Sequence, residues 1–156
     1  MLEKSLVLIK PDAVHRGIVG KVISEFEQKG FKIHNIKSQM LSDKDFYFLY
    51  PHILGKQFHD QFKSVMQSAP STLLVMSGHN AIGSIFNFSG AYSNPEEDCT
   101  HSIRQKYCIW TGADVIHRAA DQDEAAKQIA YFFDEVCEYR HNNEAFMAKE
   151  YWHHED

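Results

Sequence analysis

The sequence is sparing in the features that would make it a stapled, fibrous or membrane-bound protein. Its three cysteines, Cys99, Cys108 and Cys137, stand apart and form no C-x-x-C pair, which argues against a disulfide framework or a zinc clip. Four prolines and eight glycines among 156 residues leave no linker, repeat or low-complexity segment. The first apolar run, Leu6-Val7-Leu8-Ile9, is too short for a signal peptide or a membrane span. That points to a cytoplasmic protein with reduced thiols. The net charge of −5 gives no global attraction to nucleic acid or to an anionic membrane. Any anion site must therefore be a local concentration of positive charge. The G-x-x-x-x-G-K-[ST] pattern is absent, so a P-loop is unsupported.

What remains is an ordinary globular composition, 44% hydrophobic and 24% charged, sufficient for one domain around one core. Leu6-Val7-Leu8-Ile9 reads as a buried strand that enters a turn at Lys10-Pro11-Asp12. Val19, Val22, Ile23 and Phe26 form the stripe of an amphipathic helix, which Gly30 ends. A second strand runs from Phe31 to about Met40, and two short helices flank the break at Pro51. Thr72-Leu73-Leu74-Val75-Met76 reads as a third strand closed by Gly78, and a short helix follows over 80–88. Residues 89–111 read as irregular, a long loop of the kind that carries function or assembly. Val115-Ile116 reads as a very short strand ending at His117. Asp121 and Glu124 form a capping-box-like start for a helix whose core stripe is Ala125, Ile129, Phe132 and Val136. Strands alternating with helices point to helices packed on a sheet.

Ten histidines invite a metal hypothesis, but their spacing offers no ligand set, and His153-His154 read as a solvated tail. His117 stands out because it follows an apolar strand and precedes a capped helix, a rigid setting for a chemical group. Lys10 ends another buried strand and can reach a phosphate as a point charge. Arg104 in the long loop can offer a phosphate two donors at once. Taken singly, each residue type is more often structural than chemical.

Together the segments resemble the nucleoside diphosphate kinase family. Leu8-Ile9-Lys10-Pro11-Asp12-Ala13-Val14-His15-Arg16-Gly17 resembles its I-K-P-D-[GA]-V-x-R-G signature, and the match continues through Phe31. Asp114-Val115-Ile116-His117 resembles the N-x-[IV]-H segment, and the helix from Ala125 to Phe133 aligns without a gap. Asn94-Pro95 and Ile103-Arg104 fall in place between them. The resemblance implies a ferredoxin-like α+β fold, an antiparallel sheet covered by helices, over residues 1–139, with 140–156 as an extension packed on the same domain. It also implies a ping-pong reaction: a nucleoside triphosphate bound with Mg²⁺ gives its γ-phosphate to His117, and a nucleoside diphosphate takes it. His117 and Lys10 would be catalytic. Tyr50, Phe58, Ser93, Arg104 and Asp114 would contact the nucleotide, Phe58 by stacking on the base, and Gln128 would support His117. A homo-oligomer is expected, with neither nucleic acid nor membrane as partner.

The departures from the family pattern gather around the phosphate. The usual asparagine is Asp114, and the usual glutamate behind the histidine is Gln128. Arg118-Ala119-Ala120 replaces the usual residues after the histidine. The region reading Ile85-Phe86-Asn87-Phe88 lacks the family's arginine. These changes keep a second expectation open, a weakly active or non-catalytic nucleotide-binding scaffold. A histidine-rich metal-binding module is the third and has least in its favour.

Overall fold

The computed structural model describes residues 2–91 and 101–139. Four strands, β1 (Leu2–Ile9), β2 (Lys32–Gln39), β3 (Ser71–His79) and β4 (Ile116–Arg118), form one sheet in the order β2-β3-β1-β4. Every pairing is antiparallel. The helices are α1 (Pro11–His15), α2 (Val19–Gln28), α3 (Asp43–Leu49), α4 (His59–Met66), α5 (Ala81–Ser89), α6 (Ile103–Tyr107) and α7 (Gln122–Phe132). This is the ferredoxin-like arrangement, with β1 and β3 in the middle and β4 short at one edge.

Both faces of the sheet are covered, which is why β1 and β3 are apolar without alternation. Val7, Ile9, Leu74 and Met76 point to one face and meet Val22 and Phe26 of α2 and Ile85 of α5. Leu6, Leu8, Leu73 and Val75 point to the other and meet Phe46 and Leu49 of α3, Met66 of α4 and Phe132 of α7. Strand pleating sends successive side chains to opposite faces, so each half of these strands builds a separate core.

Several expectations need correction. Gly78 does not close β3, which runs on to His79. Its missing side chain instead makes room for Phe31, since a Cβ there would lie 2.9 Å from Phe31 Cδ1. The region 89–111 contains a helix, α6, whose Ser102 side chain accepts from Gln105 N–H at its start. His117 does not end its strand but sits in its middle, because Val115 lies outside the strand and β4 begins at Ile116. The stripe of α7 stops with the helix at Phe132, so Val136 packs from the segment beyond it. The start of α7 follows the expected cap: Asp121 accepts from Glu124 N–H at 2.8 Å, while Glu124 reaches back to Ala120 N–H at 2.7 Å.

Candidate active site

His117 pairs with Leu8 across β1 and β4, so its ring shares the face of Leu8 and is carried toward α3 and α7. Two neighbours define its setting. The Tyr50 ring, at the end of α3, stands edge-on to it, with centroids 5.2 Å apart and planes at 77°. Gln128, buried on α7, places Oε1 3.4 Å from His117 Nε2. The Gln128 amide nitrogen donates to Glu124 Oε1 at 2.8 Å, which turns the amide so that its oxygen faces the imidazole. An acceptor facing Nε2 keeps the proton there and leaves the Nδ1 lone pair available.

His117 is only partly accessible. Burial, and then the positive charge of Lys10, push its pKa down from the usual histidine range to about 3. The imidazole is therefore neutral at physiological pH. Burial likewise raises the pKa of Tyr50, with the negative charge of Asp114 adding to the effect. The Tyr50 hydroxyl is enclosed and has no hydrogen-bond partner among the described residues. Buried hydroxyls are usually satisfied, so this one is suited to a ligand oxygen.

The turn that leads into β4 explains why Lys10-Pro11-Asp12 lies beside the histidine. Ile116 N–H donates to Asp114 C=O at 2.8 Å, closing a three-residue turn with Val115 at its centre. Val115 has φ of +72°, a conformation that a β-branched residue adopts at a cost of about 1–3 kcal/mol. Both of its backbone groups are held from the far end of the chain. Lys10 N–H donates to Val115 C=O at 2.8 Å, and Val115 N–H donates to Asp12 Oδ2 at 3.2 Å. Asp12 is thus a brace for the turn, a role its place in the motif did not disclose. Burial raises the Asp12 pKa against the opposing charge of Lys10.

Arg104 of α6 is buried behind the same turn. Its Nε donates to Asp114 C=O at 3.3 Å, Nη1 to Gly90 C=O at 3.0 Å and Nη2 to Ile116 C=O at 2.8 Å. The guanidinium therefore braces backbone and supplies charge together. Asp114 is buried between Arg104 and the Lys10 ammonium, in contact with both. It is neither turned away from the cleft nor remote from its cations.

Arg118 points toward α5. Its guanidinium carbon lies 4.2 Å from the Phe86 ring centroid, and Nη2 donates to the same Gly90 carbonyl that Arg104 uses, at 3.2 Å. A positive charge thus returns beside the helix whose sequence lacks the expected arginine.

Phe58 precedes α4 and is 54% exposed, an aromatic face open to solvent. It reaches the rest of the site through Phe62, which touches Phe58 at 6.4 Å, Tyr50 at 4.8 Å and the Lys10 ammonium at 5.3 Å. Phe62 escaped the sequence reading because nothing separates it from an ordinary core aromatic. Ser93 lies outside the described residues. Lys10, Tyr50, Arg104, Asp114, His117 and Gln128 thus converge, with Phe58 at the margin. Among the described residues, no group of three or more His, Cys, Asp or Glu side chains is arranged to hold a metal ion.

A ferredoxin-like sheet with a neutral histidine on its edge strand, an enclosed tyrosine against that ring, and a buried lysine and arginine beside the turn that leads into the strand, has the chemistry of a protein of the phosphoryl-handling class. Comparison with known proteins narrows that class. The chain belongs to the nucleoside diphosphate kinase family, whose profile matches residues 3–137. The nucleoside diphosphate kinase of Methanobrevibacter smithii is 36% identical over 141 residues, 89% of this chain and 93% of that one. That of Drosophila melanogaster is 34% identical over 133 residues, 85% of this chain and 86% of its own. Among solved structures, a halophilic nucleoside diphosphate kinase from Halobacterium salinarum in complex with CDP superposes with a TM-score of 0.86 at 26% identity, covering 94% of this chain and 98% of that one. The Aquifex aeolicus enzyme superposes with a TM-score of 0.78, also at 26% identity, over 85% of this chain and 96% of its own.

Proposed function

We propose that this chain transfers the γ-phosphate of a nucleoside triphosphate to a nucleoside diphosphate, with Nδ1 of His117 as the atom that carries the phosphoryl group between them. The observation that carries this reading is the orientation of the imidazole by Gln128 and Glu124. The Nδ1 lone pair forms the N–P bond as the bond from phosphorus to the β-phosphate oxygen breaks, and the first diphosphate leaves. The second diphosphate attacks through its terminal oxygen and regenerates the neutral ring. No net proton moves, and Nε2–H keeps its acceptor throughout.

Lys10, Arg104 and the Tyr50 hydroxyl are the groups that would stabilise charge on the moving phosphoryl group, the main task of a phosphotransferase site. Ser93 completes the proposed nucleotide contacts, and Asp114 bears on them through Lys10 and Arg104, the two cations it meets. Phe58 would stack on the base, which suits acceptance of many nucleobases, because each has a flat face. Mg²⁺ bound to the nucleotide's phosphates would spread their charge.

We also read the chain as a cytoplasmic homo-oligomer. The outer strand β2 carries exposed Ile36, and Met40 follows it, also exposed. Among the described residues, no helix is long and apolar enough to cross a membrane. A scaffold without turnover gains no support from the Methanobrevibacter smithii and Drosophila melanogaster relatives, each of which is named a nucleoside diphosphate kinase.

Mixing the protein with ATP labelled at the γ-phosphate and Mg²⁺ tests the proposal. The expected product is an acid-labile, alkali-stable label that a nucleoside diphosphate removes. Equal labelling of His117→Ala, or none of the wild type, rejects His117 as the carrier.

A further inference from the structure

Asp114 occupies the two cations that a phosphate would need. Its Oδ1 meets Lys10 Nζ, and its Oδ2 lies 3.2 Å from Arg104 Nη2. Each carboxylate oxygen is thus given to a different cation, as two oxygens of a phosphoryl group would be. The pairing is enclosed, with Lys10, Arg104 and Asp114 all at 6% exposure or less. Asp12 adds a second carboxylate beside the same lysine. Two carboxyl groups, Asp12 and Asp114, thus face the Lys10 and Arg104 cations.

The three members of the bridge differ in freedom. The main chain of Asp114 is fixed by the turn around Val115, its carbonyl accepting from both Ile116 N–H and Arg104 Nε. Arg104 is pinned by the carbonyls of Gly90 and Ile116. Lys10 joins the bridge through a flexible four-carbon stem and a single rotatable ammonium, so it is the partner that can change its acceptor.

We propose that Asp114 acts as an internal competitor for phosphate, holding Lys10 in the nucleotide-free protein so that a nucleoside di- or triphosphate binds by drawing Lys10 away from it. This rests on the reading of the cleft as a phosphoryl-transfer site. The Asp114–Arg104 contact persists in the bound state, and Lys10 is the group that moves. Competition of this kind acts on the phosphate chain and not on the base or sugar. Its effect must therefore grow with the number of phosphates on the ligand.

The test is calorimetric titration of wild type and Asp114→Asn with ADP, AMP and adenosine in the presence of Mg²⁺. Asparagine keeps the shape and removes the competing charge. The variant should bind ADP about tenfold more tightly, gain less for AMP and show no change for adenosine. A variant that binds ADP as wild type does or more weakly, or that gains equally for all three ligands, overturns the proposal. Thermal melting verifies that the variant is folded. Should Asp114→Asn not fold, Asp114→Ser removes the same charge, and the same comparison decides. His117 labelling distinguishes a failure of the competition from a failure of phosphoryl transfer itself. Normal labelling with unchanged ADP affinity in the variant defeats the competition alone, whereas a wild type that neither labels nor binds ADP defeats the phosphoryl-transfer reading with it.

Discussion

Nε2 of His117 lies 3.4 Å from Oε1 of Gln128, and the other end of that amide is bonded to the carboxylate of Glu124. A charged group therefore supports the histidine from one residue further away than direct contact. The neutral amide passes on orientation more than charge, since it can accept the N–H but cannot offset an imidazolium as a carboxylate does.

Glu124→Ala should release the Gln128 amide from its fixed orientation. The expected result is His117 phosphorylation slowed about tenfold in single-turnover measurements, with ADP affinity unchanged. Loss of the bond from Ala120 N–H to Glu124 should also lower the stability by about 1 kcal/mol. A stability loss without a change in phosphorylation rate would make Glu124 a helix cap and nothing more.

The depressed pKa of His117 has a definite sign in the pH dependence of stability. From about pH 6.5 down to about pH 3, the unfolded chain takes up a proton at this residue that the folded protein does not. Acidification through that window therefore favours unfolding, by at most about 1.4 kcal/mol per pH unit. His117→Gln removes the titration, so its melting temperature relative to wild type should rise steadily between pH 7 and pH 4. A constant difference would show that His117 titrates alike in both states.

Gly78→Ala should be destabilising although it lies in a regular strand. The new methyl would stand 2.9 Å from Phe31 Cδ1 and 3.2 Å from Cε1, and the ring is itself packed edge-on against Phe26 at 5.8 Å. Overpacking of this kind costs about 1–3 kcal/mol, read as a lower midpoint in urea. Phe31→Leu in the same chain should recover part of the loss, a coupling that a simple loss of strand propensity would not show.

Legibility from sequence followed the range of the interactions involved. β1, α2, β2 and β3 are visible because long apolar periods and Gly30 mark them. α6 has five residues and one fully buried apolar anchor, Ile103, too little to show a period. The middle position of His117 in β4 was hidden for a related reason. Val115 is of a residue type that favours strands, and its long-range bonds with Lys10 and Asp12, together with the Ile116–Asp114 bond of the turn, hold it at a positive φ. The family resemblance proposes which residues form the site, but it says nothing of how they pair. That Asp114 bridges Lys10 and Arg104, and that Glu124 turns Gln128, depend on side-chain positions separated widely in the chain or across a helical turn.

The edge position of β4 also has a consequence for biosynthesis. Lys10 and Asp114 are separated by 104 residues, and β1 has no outer neighbour until residues 116–118 are made. At typical rates of translation, Lys10 waits roughly 5–20 s for the segment that completes its surroundings. Throughout that delay one side of β1 presents open backbone donors and acceptors, a template for pairing with another nascent chain. Ribosomal stalling between β3 and β4 would therefore leave a species able to aggregate and unable to hold a nucleotide in the assembled cleft.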